Sequence, residues 1–127
     1  MGLRVGADIA RVDDVCASVA RFGDRYLHRV FTPHEIASCA GSSTVAAASL
    51  AARFAAKEAT IKVLRPEDAT PAWKSIEVRR HPSGWCELHL TGEAAKLAAA
   101  AGITELAVSL THDSDVAAAV VLAQCAS

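Results

Sequence analysis

Ser49-Leu50-Ala51-Ala52-Arg53-Phe54-Ala55-Ala56-Lys57-Glu58-Ala59-Thr60-Ile61-Lys62 is the stretch whose reading decides the fold. It lies within a predicted long helix from about 45 to 64, stopped by Pro66. At the α-helical rotation per residue, Arg53 and Lys57 share one side and Glu58 and Lys62 another, with Phe54 and Ile61 projecting between the pairs. Ala55, Ala56, Ala59 and Val63 make the remaining face, which is small, apolar and suited to close packing. A solvated face is one continuous polar arc. Here an apolar stripe divides the charges, and covering it brings both pairs to a protein surface or a ligand. Geometry alone equally allows a plainer reading, with Glu58 and Lys62 as an i,i+4 pair contributing about 0.2–0.5 kcal/mol and Arg53 and Lys57 solvated.

On the N-terminal side, Leu3 to Ile9 reads as a short strand with Val5, Ala7 and Ile9 on one face and Arg4, Gly6 and Asp8 on the other, the acid lying at its end. Asp13 and Asp14 open a helix whose later part carries Arg21, Arg25 and Arg29 at i,i+4 spacing, a basic stripe. Thr32-Pro33-His34-Glu35 matches a capping box, with Thr32 as N-cap and Glu35 reading as a capping residue. On the C-terminal side, residues 75–80 and 85–90 form a predicted hairpin across His81-Pro82-Ser83-Gly84. An alanine-rich helix follows near 93–101, closed by Gly102. Strands at 105–111 and 116–124 flank His112-Asp113-Ser114-Asp115. The class is α+β, with no regular βαβ repeat, in a single domain over 1–127.

Composition narrows the function classes. The apolar share of 52% is largely alanine, so the expected core is shallow and subunit contacts have room to contribute. A net charge of −1 predicts neither nucleic-acid binding nor a membrane-surface role, so electrostatic docking must be local. Cys16, Cys39, Cys86 and Cys125 are dispersed without zinc spacing and read as buried or semi-buried thiols of a reducing compartment. The first eight residues reach Asp8 too early for a secretory segment, and the apolar run at 116–123 is too short to span a bilayer. The expected location is the cytoplasm.

Polar chemistry concentrates in Asp8, the Arg53 to Lys62 set, and His112-Asp113. Carboxylates from two elements, such as Asp8 and Glu58, suit Mg²⁺ when phosphate oxygens and waters complete its octahedron. Nearby lysine and arginine would neutralise the phosphates. Taken singly, Asp8 reads equally as a turn aspartate and His112 as a hydrogen-bonded turn histidine.

Val5-Gly6-Ala7-Asp8-Ile9, Phe31-Thr32-Pro33-His34-Glu35, the run from Ala52 to Lys62, and Val108-Ser109-Leu110-Thr111-His112-Asp113 stand in the order and spacing of a known family. Over nearly its whole length the chain resembles the small holo-acyl-carrier-protein synthases, the AcpS-type 4′-phosphopantetheinyl transferases. That resemblance implies Mg²⁺-dependent transfer of 4′-phosphopantetheine from coenzyme A to a serine of an apo acyl carrier protein, in fatty-acid or polyketide synthesis, releasing adenosine 3′,5′-bisphosphate. It implies that Asp8 and Glu58 hold the metal, Lys62 contacts the phosphates, and Arg53 and His112 are further coenzyme contacts. The serine proton has three candidate acceptors: a metal-bound water, Glu58 and Asp113. The resemblance further implies a homotrimer with active sites at subunit boundaries, and carrier docking on Arg21, Arg25 and Arg29.

The chain departs from the family pattern at several points. Arg65-Pro66-Glu67-Asp68-Ala69 stands where relatives often have a glycine-rich turn, Arg11 where an acid is common, Thr111 where serine is usual, and Trp85 follows Gly84 in place of proline. These departures bring in a second reading, a carrier-protein or coenzyme A binding module with weak transfer, and a third, a structural trimer. Intact Asp8, Glu58 and Lys62 favour the enzyme.

Overall fold

The computed structural model describes residues 2–39 and 43–126. Its centre is strand β5 (Val116–Cys125), whose alternation turns Ala117, Ala119, Val121 and Ala123 inward. β5 pairs antiparallel with β1 (Gly2–Arg11) on one side and with β4 (Ile103–His112) on the other, giving the order β1-β5-β4. Helix α4 (Ser43–Leu64) lies on the inner face, presenting the fully buried Ala55, Ala56, Ala59 and Val63. A second sheet is the hairpin of β2 (Ile76–Arg80) and β3 (Cys86–Leu90), followed by α5 (Gly92–Ala100).

Small residues on both facing surfaces set the spacing. Methyl-sized groups contribute only about 0.8 kcal/mol each on burial, against roughly 1.5–3 for a leucine or phenylalanine, so this layer depends on close approach rather than bulk. The approach is closest at Gly6. A Cβ there would stand 2.3 Å from the Ala59 carbonyl oxygen and 3.2 Å from both Lys62 Cβ and Val63 Cγ2.

The α+β class, the long helix, the hairpin and the final strand pair follow the sequence reading. Three local expectations are corrected. The basic stripe is not on one helix: α1 (Val12–Phe22) ends at Gly23, and α2 (Asp24–Val30) begins after it. Gly23 holds φ 57°, ψ −132°, its N–H donating to the Val19 carbonyl, a conformation that L side chains adopt only with strain. Asp8 is not at a strand end either, because pairing with β5 carries β1 on to Arg11. The cysteines are all free, and Cys16 is exposed rather than buried.

The capping box is present in α3 (Pro33–Ser38), with the Thr32 hydroxyl accepting from the Glu35 N–H and the Glu35 carboxylate accepting from the Thr32 N–H. The first N–H of α1 donates to the Asp115 carbonyl at 3.0 Å, so the turn between the last two strands serves as its cap. No helix among the described residues is long and apolar enough to cross a membrane. The outer face of the sheet is apolar and open, with Leu3, Val5 and Ile9 exposed at 70%, 65% and 68% and Val120 and Leu122 beside them.

Gly6→Ala is therefore expected to destabilise the chain by about 1–3 kcal/mol, because backbone rather than a flexible side chain must give way. Urea unfolding should show a lowered midpoint at unchanged m-value; an unchanged midpoint would refute the close packing of β1 on α4.

Candidate active site

The close contact at Gly6 is what builds the site. Asp8 shares Gly6's face of β1 and meets Lys62 at the flank of α4, Nζ to Oδ1 being 3.2 Å. Lys62 also donates to the Ala7 carbonyl at 2.8 Å. Glu58, one turn earlier on α4, is half-buried. Burial, and then the charge of Asp8, push its carboxyl above the ordinary glutamate range, with Lys62 acting in the opposite direction.

A carboxyl that is harder to ionise because a second carboxylate stands beside it marks a place where a cation relieves the repulsion. The oxygen-only donor set suits a hard ion such as Mg²⁺. Among the described residues no group of three His, Cys, Asp or Glu side chains gathers, so an ion held here would draw the rest of its shell from phosphate and water. Lys62 is exposed and Asp8 partly so, and pairs open to solvent contribute about 1 kcal/mol or less, so Lys62 can exchange Asp8 for another anion at little cost.

Beside Glu58 opens a cavity of about 580 Å³, bordered by Arg29, Ile61, Pro71, Ala72 and Trp73. Asp8 and Lys62 border a shallower one of about 380 Å³, together with Ile9 and Val120 from the open sheet face.

The other charged flank of α4 is buried. Lys57 has no exposed side-chain surface and pairs with Glu35 at 2.7 Å, while Arg53 is only 5% exposed. The solvated reading of these two residues is thereby set aside. Burial pushes the Lys57 ammonium down from its ordinary range, and Glu35 opposes that shift. Sequence reading took Glu35 as a cap and missed this second role. The available signal was a lysine with apolar neighbours at Ala55, Ala56 and Ala59, which requires a buried acid from elsewhere.

Arg53 Nη1 donates to the Ser49 carbonyl at 3.3 Å, and its buried Nε has no hydrogen-bond partner among the described residues. His112 is exposed at the end of β4, level with Ala117 of β5 and Ala10 of β1, so two strand spacings, roughly 10 Å, separate its strand from that of Asp8. Within one chain, Arg53 and His112 do not join the Asp8, Glu58 and Lys62 group. Asp113 closes the β4–β5 turn, its Oδ1 accepting from the Val116 and Asp115 N–H groups, and these bonds hold its carboxyl below the usual range. Arg21, Arg25 and Arg29 are all exposed, Arg21 beside the Phe22 ring and Arg29 at the cavity of Glu58. Glu67 and Asp68 border a different cavity, with Arg4, Arg65 and Glu93, rather than the two that hold Asp8 and Glu58.

A long helix crossing a three-stranded antiparallel sheet is an arrangement with known counterparts. The chain belongs to the 4′-phosphopantetheinyl transferase superfamily, whose family profile matches residues 4–121. A holo-acyl-carrier-protein synthase of Dehalococcoides mccartyi is 41% identical over 123 residues, covering 96% of this chain and 98% of the relative. The ACPS–CoA complex of Chronobacterium ammoniagenes superposes with a TM-score of 0.86 at 32% identity, over 100% of both chains. The acyl carrier protein synthase AcpS of Mycobacterium tuberculosis superposes at 0.77 with 35% identity, over 98% of this chain and 100% of that one.

Proposed function

We infer that this chain is a holo-acyl-carrier-protein synthase, transferring 4′-phosphopantetheine from coenzyme A to a serine of an apo acyl carrier protein in the cytoplasm. The observation that carries this reading is the meeting of Asp8, Glu58 and Lys62 where β1 crosses α4, in a member of this superfamily. In the reaction the serine oxygen bonds to the β-phosphorus of coenzyme A and the bond from that phosphorus to the bridging oxygen breaks. Adenosine 3′,5′-bisphosphate leaves, and the serine gives up its proton. Asp8 and Glu58 would hold Mg²⁺, which when bound neutralises the pyrophosphate. Lys62, exposed and weakly paired, can turn its ammonium from Asp8 to the phosphates and stabilise charge developing on the leaving oxygen.

Arg29 at the Glu58 cavity, with Arg25 one turn before it on α2, supports docking of an acidic carrier protein next to the reacting centre. Arg21 extends that surface from α1. A homotrimer that covers the open sheet face completes the reading. Ile9 and Val120 belong both to that face and to the cavity of Asp8 and Lys62, so a second copy seated there would border the site. His112, exposed and away from the carboxylates in its own chain, would then serve the 3′-phosphate or adenine end of coenzyme bound at a neighbour's site, whereas Arg53 is buried on its flank of α4 and would act only from behind that surface.

Incubation with Mg²⁺, coenzyme A and an apo carrier protein should add one phosphopantetheine to the carrier by mass spectrometry. Glu58→Gln should remove at least about 10²-fold of that turnover without altering the fold. Coenzyme A binding with no mass shift on several carriers would leave only a binding module. Charge reversal at Arg25 should raise KM for the carrier several-fold at low salt, flatten its salt dependence and leave coenzyme A binding unchanged; equal effects on both substrates would refute the docking role. Light scattering at active concentration should return three times the chain mass, and a monomer would sink the shared-site arrangement.

A further inference from the structure

The fully buried Lys57 takes no part in the chemistry above, yet it is the most fully partnered charge on α4. A buried ammonium is costly unless its protons find acceptors, and here three do so: Glu35 Oε1 at 2.7 Å, the Trp73 carbonyl at 3.1 Å and the Ile76 carbonyl. Glu35 in turn accepts from the Thr32 N–H through Oε1 and from the Val78 N–H through Oε2, both at 2.9 Å. One ion pair thus ties α3, α4, the 3₁₀ turn at Trp73–Ser75 and β2 together.

Stability alone does not account for such a pair, since well-packed apolar residues of similar volume often serve as well or better. What apolar packing lacks is direction. The held Trp73 carbonyl belongs to the segment 71–73 that walls the cavity opposite Glu58 and Ile61, and the Trp73 ring leans on Phe54 with centroids 5.2 Å apart. Lys57 and Glu58 are consecutive on α4, so the backbone that presents Glu58 toward Asp8 also anchors the far wall of the groove.

We propose that the Lys57–Glu35 pair is a positioning device for the groove beside Glu58: it fixes the 71–73 wall and so governs binding of the donor's amide-containing pantetheine chain. This rests on the transferase reading above. The groove offers that chain apolar sides from Ile61, Pro71 and Trp73, with Glu58 at its edge. Lys57 and Glu35 act through the wall, not on the reacting atoms.

The test uses Lys57→Met and Glu35→Gln in a Trp85→Phe background, which leaves Trp73 as the sole tryptophan. In folded variants, checked by far-UV circular dichroism, KM for coenzyme A should rise roughly tenfold while kcat stays within about threefold, because the wall and not the chemistry has moved. Trp73 emission should shift as well. Folded variants with parental KM and emission, merely unfolding at lower denaturant, would make the pair structural only and overturn the proposal. Wild-type protein supplies a reading that does not depend on variant folding: coenzyme A should slow amide exchange across residues 70–75. Slowed exchange near Asp8 and Lys62 alone would also overturn it. Absence of any transfer by the wild-type chain would instead sink the functional reading, while the emission shift would still report on the wall.

Discussion

The Ala59 carbonyl sits where any side chain at position 6 would have to go, and the site depends on that exclusion. Helix α4 can lie this close to β1 only because Gly6 has no Cβ and because β5 offers Ala117, Ala119 and Ala123 to the same helix. Moving the helix outward would carry Lys62 away from Asp8 and Glu58 out of the field of that carboxylate. The small residues thus set a distance, and the distance sets the electrostatics. An alanine layer contributes little per residue, so the helix also needs fixing from its other flank, where the Lys57–Glu35 pair binds it to α3 and β2.

The two charged flanks of α4 illustrate what burial does to an ion pair. At zero exposure, Lys57 and Glu35 cannot separate without stranding a charge in a low-dielectric interior, which typically costs about 3–5 kcal/mol. That pair is committed to one geometry. Lys62 and Asp8 are wetter and 3.2 Å apart, a contact that contributes about 1 kcal/mol or less. Such a pair can be exchanged for a phosphate, which a binding site requires and a scaffold must avoid. One helix carries both kinds because its apolar stripe, with Phe54 against Trp73 and Ile61 against the cluster around Leu64 and Ile76, keeps the flanks apart.

What the sequence made legible was local and periodic: the length and faces of α4, the capping box at Thr32 and Glu35, the hairpin turn and the closing Gly102. Arg21, Arg25 and Arg29 keep helical spacing across Gly23, and spacing carries no information about a break in the helix between them. Asp8 lies within β1 rather than at its end because the extent of that strand is decided by its pairing with β5, more than a hundred residues away in sequence. Glu35 is the sharpest case. A capping box accounts for its carboxylate fully by local rules; the pointer lies on the other partner, a lysine among alanines that needs a buried acid, and only packing α3 against α4 shows which acid that is.

The departure at Arg65-Pro66-Glu67-Asp68-Ala69 raised the question whether two acids would face the coenzyme phosphates. The backbone answers it. Arg65 takes φ 52°, the left-handed conformation that glycine adopts freely, and its N–H donates to the Ile61 carbonyl at 3.0 Å, ending α4 as a glycine would. Holding a non-glycine residue there costs about 1–2 kcal/mol, but it reproduces the reversal of direction, and Pro66 then prevents the helix from resuming. The turn carries Glu67 and Asp68 to the cavity shared with Arg4 and Glu93, Thr70, Pro71 and Ala72 form the wall common to both cavities, and Trp73 lies on the side of the groove beside Glu58. What matters at this turn is the backbone path rather than the glycine, and a chain that keeps the path can change the residues without placing their charges in the site.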